Sequence, residues 1–189
     1  MFKLQVALLW ATLLMVGTVY SQQKNLVQQV NEKDCSCLID TAKQVPHVDS
    51  VFGGYKILAV AQKMAIIDGD VVRGSCWDFV NEVYKRAGSA SNKKAIYRSK
   101  KGGPYANPSM VQPGDWIYHV NYEFKGIEHS AIFVCWKDFE KRIAITLSYA
   151  GMNRNQPAKY GTYNLKGIYS IYRNPIDKPS SSAEETTGN

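Results

Sequence analysis

Residues able to act as nucleophile, base or metal ligand are scarce in this chain, so their positions carry information. It holds four cysteines and three histidines in 189 residues. Cys76 opens a stretch in which Cys76, Phe79, Val80, Val83, Tyr84 and Ala87 recur at spacings of three and four, the signature of one helical face. A thiol at the first turn of a helix sits at the positive end of the helix dipole, which favours the thiolate, the form that attacks carbonyl carbon. The competing reading is a small buried hydrophobe, the usual fate of a free cysteine. His129 begins an alternating run in which His129, Ala131, Phe133 and Cys135 share one face. An imidazole there could point across to a packed helix and take a proton from a thiol, or be a hydrogen-bonded core histidine.

Cys35-Ser36-Cys37 suggests a metal or redox pair, but a zinc site needs partners at matching spacing, and no second Cys-x-Cys exists. A disulfide within the tripeptide would be strained, whereas one of the two could bridge to Cys135 or to another chain in an oxidising compartment. Structural use is therefore expected over metal use. No resident metal and no cofactor is expected.

These residues need elements to hold them. Ser75 stands where an N-cap belongs and Gly88 where a left-handed C-terminal cap belongs, bracketing a helix from Cys76 to Ala87. Asp78, Glu82, Lys85 and Arg86 give that helix a solvated outer face. A second helix is expected over residues 54–66, with Ile57, Leu58, Ala61, Met64 and Ala65 on one stripe, ended by the turn chemistry of Asp68-Gly69-Asp70. Ser89 to Pro113 reads as a long polar connection. From Pro113-Gly114-Asp115 the period changes to two. Strands are expected at Trp116–Val120, Glu128–Trp136, Arg142–Tyr149, Tyr160–Asn164 and Gly167–Arg173. Helices followed by a meander of about five strands indicate an α+β domain, helices packed on an antiparallel sheet.

The ends read differently. Lys3 followed by the apolar run Leu4–Val16 and by Val19-Tyr20-Ser21 has the pattern of a secretory signal over residues 1–21, too short for a comfortable transmembrane helix. Residues 22–53 read as an N-terminal extension, 54–176 as the folded domain, and 177–189 as a polar, low-complexity tail expected to be disordered. The mature chain is thus expected to be secreted or periplasmic, with no transmembrane span. The net charge is +7, and since Lys3 is the only charge in residues 1–21, +6 remains after it is removed. That surplus suits anionic surroundings such as a cell wall, membrane headgroups or nucleic acid. No basic block interleaved with aromatics is present, and the cluster from Lys93 to Lys101 reads as a solvated loop, so no nucleic-acid partner is expected.

Taken in order, these stretches resemble a family. Gly74-Ser75-Cys76-Trp77-Asp78-Phe79-Val80, with Tyr84 and Ala87-Gly88, looks like the nucleophile helix of NlpC/P60 and CHAP cysteine peptidases. Pro113-Gly114-Asp115-Trp116-Ile117 resembles their Pro-Gly-Asp strand, Glu128-His129-Ser130-Ala131-Ile132-Phe133-Val134 their histidine strand, and Tyr169–Arg173 their closing strand. The resemblance implies a papain-like fold and hydrolysis of amide bonds in peptidoglycan peptides. It implies Cys76 as nucleophile, His129 as general base and later acid, and a third polar residue on the following strand, for which Ser148 is the nearest match and Asn153 a second candidate. Ser75 stands where NlpC/P60 proteins usually carry Asp, Trp77 where they carry Ser, and Glu128 where CHAP domains commonly carry Gly.

Two classes of function compete on this sequence. One is an exported thiol hydrolase acting on peptidoglycan or another peptide, with Trp77, Tyr105 and Trp116 lining a groove. The other is a catalytically inactive module of the same fold that binds or inhibits. A thiol-dependent acyl or peptidyl transferase is a looser variant of the first.

Overall fold

The computed structural model describes Cys35, residues 53–149 and residues 155–175. The expected signal, the rest of the N-terminal extension, the C-terminal tail and Asn153 lie outside the described residues.

Two helices open the described chain. Helix α1, Gly54–Gln62, runs into a π-helical turn, Lys63–Ile67, and buries Ile57, Leu58, Ala61, Met64 and Ala65, as its stripe requires. Helix α2 is Cys76–Arg86, with Ser75 as its N-cap. The carboxylate of Asp78 accepts hydrogen bonds from the backbone N–H (2.6 Å) and hydroxyl (2.7 Å) of Ser75, which fixes where the helix begins. Gly74, at φ 115°, has no room for a side chain, since a Cβ there would lie 2.3 Å from Asp78 Oδ2. At the far end Gly88 takes φ 71°, and the Ser89 and Gly88 amides donate to Tyr84 O and Lys85 O, a Schellman cap at the glycine the sequence offered.

Six strands follow: β1 Lys94–Arg98, β2 Trp116–Asn121, β3 Ile127–Asp138, β4 Ile143–Ser148, β5 Lys159–Asn164 and β6 Ile168–Arg173. They form one antiparallel sheet in the order β1-β6-β2-β3-β4-β5. The α+β reading stands, and the strand count rises by one. The polar connection expected over Ser89–Pro113 holds β1, which pairs with β6 through a register shift between Ala95 and Tyr97. Its single turn of alternation, with lysine and arginine at its ends, is what an edge strand shows and what a periodicity search passes over.

The sheet separates two cores. On one face Trp116, Ile132, Val134 and Leu147 pack with α1 and α2. On the other, Ile117, Ala131, Phe133, Ala144 and Ile171 pack under Ala106, Val111 and Leu165. The register of β3 against β4 shifts between Phe133 and Cys135, so Cys135 leaves the face of Phe133 and joins the helix side. There it forms a disulfide with Cys35, 100 residues away in sequence. Expected on the face of His129, Cys135 is turned over by one bulge.

Closing a loop of that length removes much of the unfolded chain's freedom, and such bonds contribute about 2–4 kcal/mol. Reduction, or Cys135→Ser, is expected to lower the urea midpoint accordingly. An unchanged midpoint with dithiothreitol would show that the bond does not staple the domain.

Candidate functional site

Helix α2 is tied to the sheet by its own buried polar groups. The Tyr84 hydroxyl shares its proton between Gly114 O (3.1 Å) and Tyr172 O (3.2 Å) and accepts from the Trp116 amide (3.1 Å). Burial raises its pKa above the ordinary phenol value, so it stays neutral and can donate. Next to it, buried Asp115 accepts from Arg173 at 2.7 and 2.8 Å and from the Gln112 amide at 2.8 Å. Burial pushes the Asp115 carboxyl up and Arg173 pulls it down. The Pro-Gly-Asp stretch is therefore the anchor between α2, β2 and β6. Gly114 is squeezed against Gly54, where a Cβ would lie 1.9 Å from the backbone oxygen.

Cys76 is the first residue of α2, partly exposed and not in a disulfide. Beside it the half-exposed indole of Trp77 stands 5.8 Å from the ring of Trp116. The charge of an ionised Cys76 would raise Tyr118, Tyr163 and Tyr169, so all three hydroxyls lie within its electrostatic reach. Of the aromatics expected to line a groove, Trp77 is open to a ligand. Trp116 is core, 1% exposed, with its indole N–H donated to Ser130 Oγ at 2.6 Å. Tyr105 sits on another loop, its hydroxyl between Lys101 O and the Tyr122 hydroxyl.

His129 and Ser148 come together. Nε2 of His129 is 2.9 Å from Ser148 Oγ, across the β3–β4 hairpin. The Ser148 hydroxyl also faces Tyr149 O at 3.5 Å. Where Ser148 accepts from Nε2–H, the lone pair of the imidazole falls on Nδ1; where Ser148 donates, it is on Nε2. Tyr163 packs on His129 with ring centroids 5.1 Å apart. His119 pairs with His129 directly across β2 and β3, ring edge to ring face at 5.3 Å. Neither nitrogen of His119 has a partner among the described residues, and the ring is 0% exposed.

Cys76 and His129 are not hydrogen-bonded to each other among the described residues. The reason is register. Tyr118 pairs with Ser130 on the helix side, so His119 and His129, one residue along, face the opposite core. What the thiol and the imidazole share is Tyr163, which touches the ring and senses the thiol. Tyr163, and the placement of His119 against His129, were missed from sequence. The pairing of two histidines across a hairpin becomes readable only when the turn that sets the register is known.

Burial keeps both rings neutral, pushing His129 down to about 4 and His119, with help from the charge of His129, down to about 3. In an unfolded chain both would titrate near 6.5. Between those values the unfolded chain binds protons that the folded chain refuses. Stability is therefore full above about pH 6.5 and falls as pH drops toward 4, by up to about 1.4 kcal/mol per pH unit for each ring. Urea midpoints from pH 7 to 5 are expected to fall, and His119→Phe to remove about half of that slope. An unaltered slope in His119→Phe would show that this ring is not buried neutral.

In comparisons with known proteins, no family model, no curated protein and no solved structure matches this chain.

Proposed function

We propose that this chain is an exported cysteine hydrolase of NlpC/P60 or CHAP type, on a papain-like fold, cleaving amide bonds in bacterial cell-wall peptidoglycan peptides. The observation that carries the reading is the His129–Ser148 pair. An imidazole neutral at pH 7 has one nitrogen held by a hydroxyl and the other left to act as base. A free cysteine on a capped helix N-terminus supplies the nucleophile. The disulfide supports an oxidising, extracytoplasmic location, and the net positive charge suits a polyanionic wall.

In this reading Nδ1 of His129 removes the proton of Cys76. The thiolate attacks the amide carbon, and the backbone N–H groups at the start of α2 stabilise the oxyanion. The imidazolium returns the proton to the departing amine, and water then releases the acyl group from sulfur, with His129 as base again. Ser148 keeps the ring in the tautomer the first step needs. The step requires Cys76 Sγ within reach of Nδ1, a contact that is absent among the described residues.

A second reading is favoured by one specific observation. The β2–β3 register sets His129 and α2 on opposite faces of the sheet, which suits a non-catalytic module that binds wall peptide. Digestion of purified peptidoglycan separates the two. The hydrolase is expected to release soluble muropeptides, with release abolished in Cys76→Ala, lowered about 10²- to 10⁴-fold in His129→Ala, and lowered less in Ser148→Ala. Release by Cys76→Ala at the wild-type rate would sink the thiol mechanism. No release by any form, with wall material bound equally by wild type and Cys76→Ala, would establish the binding module.

A further inference from the structure

The turn that joins β2 to β3 exposes more apolar surface than its length explains. Tyr122 is 53% exposed, Phe124 54% and Ile127 48%, three large side chains within six residues. The backbone there makes a defined turn. Tyr122–Phe124 is a 3₁₀ turn, Lys125 takes a left-handed φ of 57°, and the Gly126 amide donates to Asn121 O at 2.9 Å. The tip is held out by structure, so its exposure is a property of the fold. We propose that this tip docks the protein on an anionic lipid surface.

The arrangement of charge favours that occupant. Glu123 and Glu128 are exposed on the tip, and they are outnumbered by three exposed lysines on and beside it. Lys125 is exposed on the turn itself. The exposed Lys101 is brought beside the tip by the Tyr105 hydroxyl, which bonds Lys101 O at 3.0 Å and Tyr122 OH at 2.8 Å. Lys166, also exposed, precedes Gly167, which is pressed so closely on Tyr122 that a Cβ there would lie 3.0 Å from its ring. The exposed side chains of Phe124 and Ile127, the bonded hydroxyls of Tyr122 and Tyr105, and the exposed lysines on and next to the turn combine apolar, interfacial and cationic groups. These match the acyl chain, the interface and the anionic headgroup. A soluble polyanion would use the lysines and leave Phe124 and Ile127 in water, which is why lipid is the partner argued for.

The test uses the full chain and a local readout, so that its apolar N-terminal run does not decide the result. Vesicles of phosphatidylglycerol mixed with phosphatidylcholine are expected to slow amide hydrogen exchange over residues 121–127, and phosphatidylcholine alone to slow it less. Phe124→Ser combined with Ile127→Ser is expected to abolish that protection and to lower the tip-dependent partition about tenfold. Lys125→Glu should weaken it on anionic vesicles only. Both variants alter exposed side chains, and an unchanged urea midpoint confirms that they fold. Equal protection of residues 121–127 in the double serine variant would overturn the proposal. So would equal protection by soluble polyphosphate, which would make the surface a polyanion site.

Discussion

The hydroxyl of Tyr84 is the interaction on which the rest of this structure depends. It lies inside the first core, where an unpaired polar group costs about 1–3 kcal/mol, and its three partners are backbone groups at the ends of β2 and β6. Satisfying it sets the height and rotation of α2 over the sheet, and with them the position of Cys76 two turns earlier. The Asp115–Arg173 pair braces the same corner from the other side. Removing one partner of such a pair strands a charge in the interior and costs about 3–5 kcal/mol. The tolerances are tight, since Gly54 and Gly114 meet with no room for a methyl group between their backbones.

The sheet's two faces then give cysteine and histidine different surroundings. The thiol stands at a partly open helix start among Trp77, Tyr118 and Tyr169, side chains able to meet a ligand. The imidazole lies in the second core, where burial holds it neutral and Ser148 is within hydrogen-bond distance of Nε2. A neutral, oriented ring suits a base, and the same burial limits what it can touch. Tyr163 packs against the ring on that side of the sheet.

Export, the disulfide and the hairpin tip fit one another in the proposed reading. A bond between Cys35 and Cys135 persists where thiols are oxidised, and an anionic lipid surface is met in the same surroundings. The tip projects from the end of the sheet at which His129 and Tyr169 lie, since Asn121 pairs with Ile127 and His119 with Ile168. A protein docked there would present that end to whatever is anchored on the same surface.

The helix of Cys76 was legible residue by residue, because its cap, its stripe and its terminal glycine are local signals that act within a few residues. The α+β order and five of the six strands followed from the change of period at Pro113. Ser148 was reached only through the resemblance to NlpC/P60 and CHAP proteins, as the nearest match for a third polar residue, and it lies 2.9 Å from His129 Nε2. Other features depended on pairing between distant segments. Edge strand β1 is too short and too charged to announce itself, Cys35 rather than Cys37 met Cys135, and one bulge moved Cys135 to the helix side. Which face His129 takes was undecided for the same reason. Side chains alternate with period two, so the register of a single hairpin, set by a turn that periodicity does not read, turned the imidazole away from the helix that the alternation had seemed to offer it.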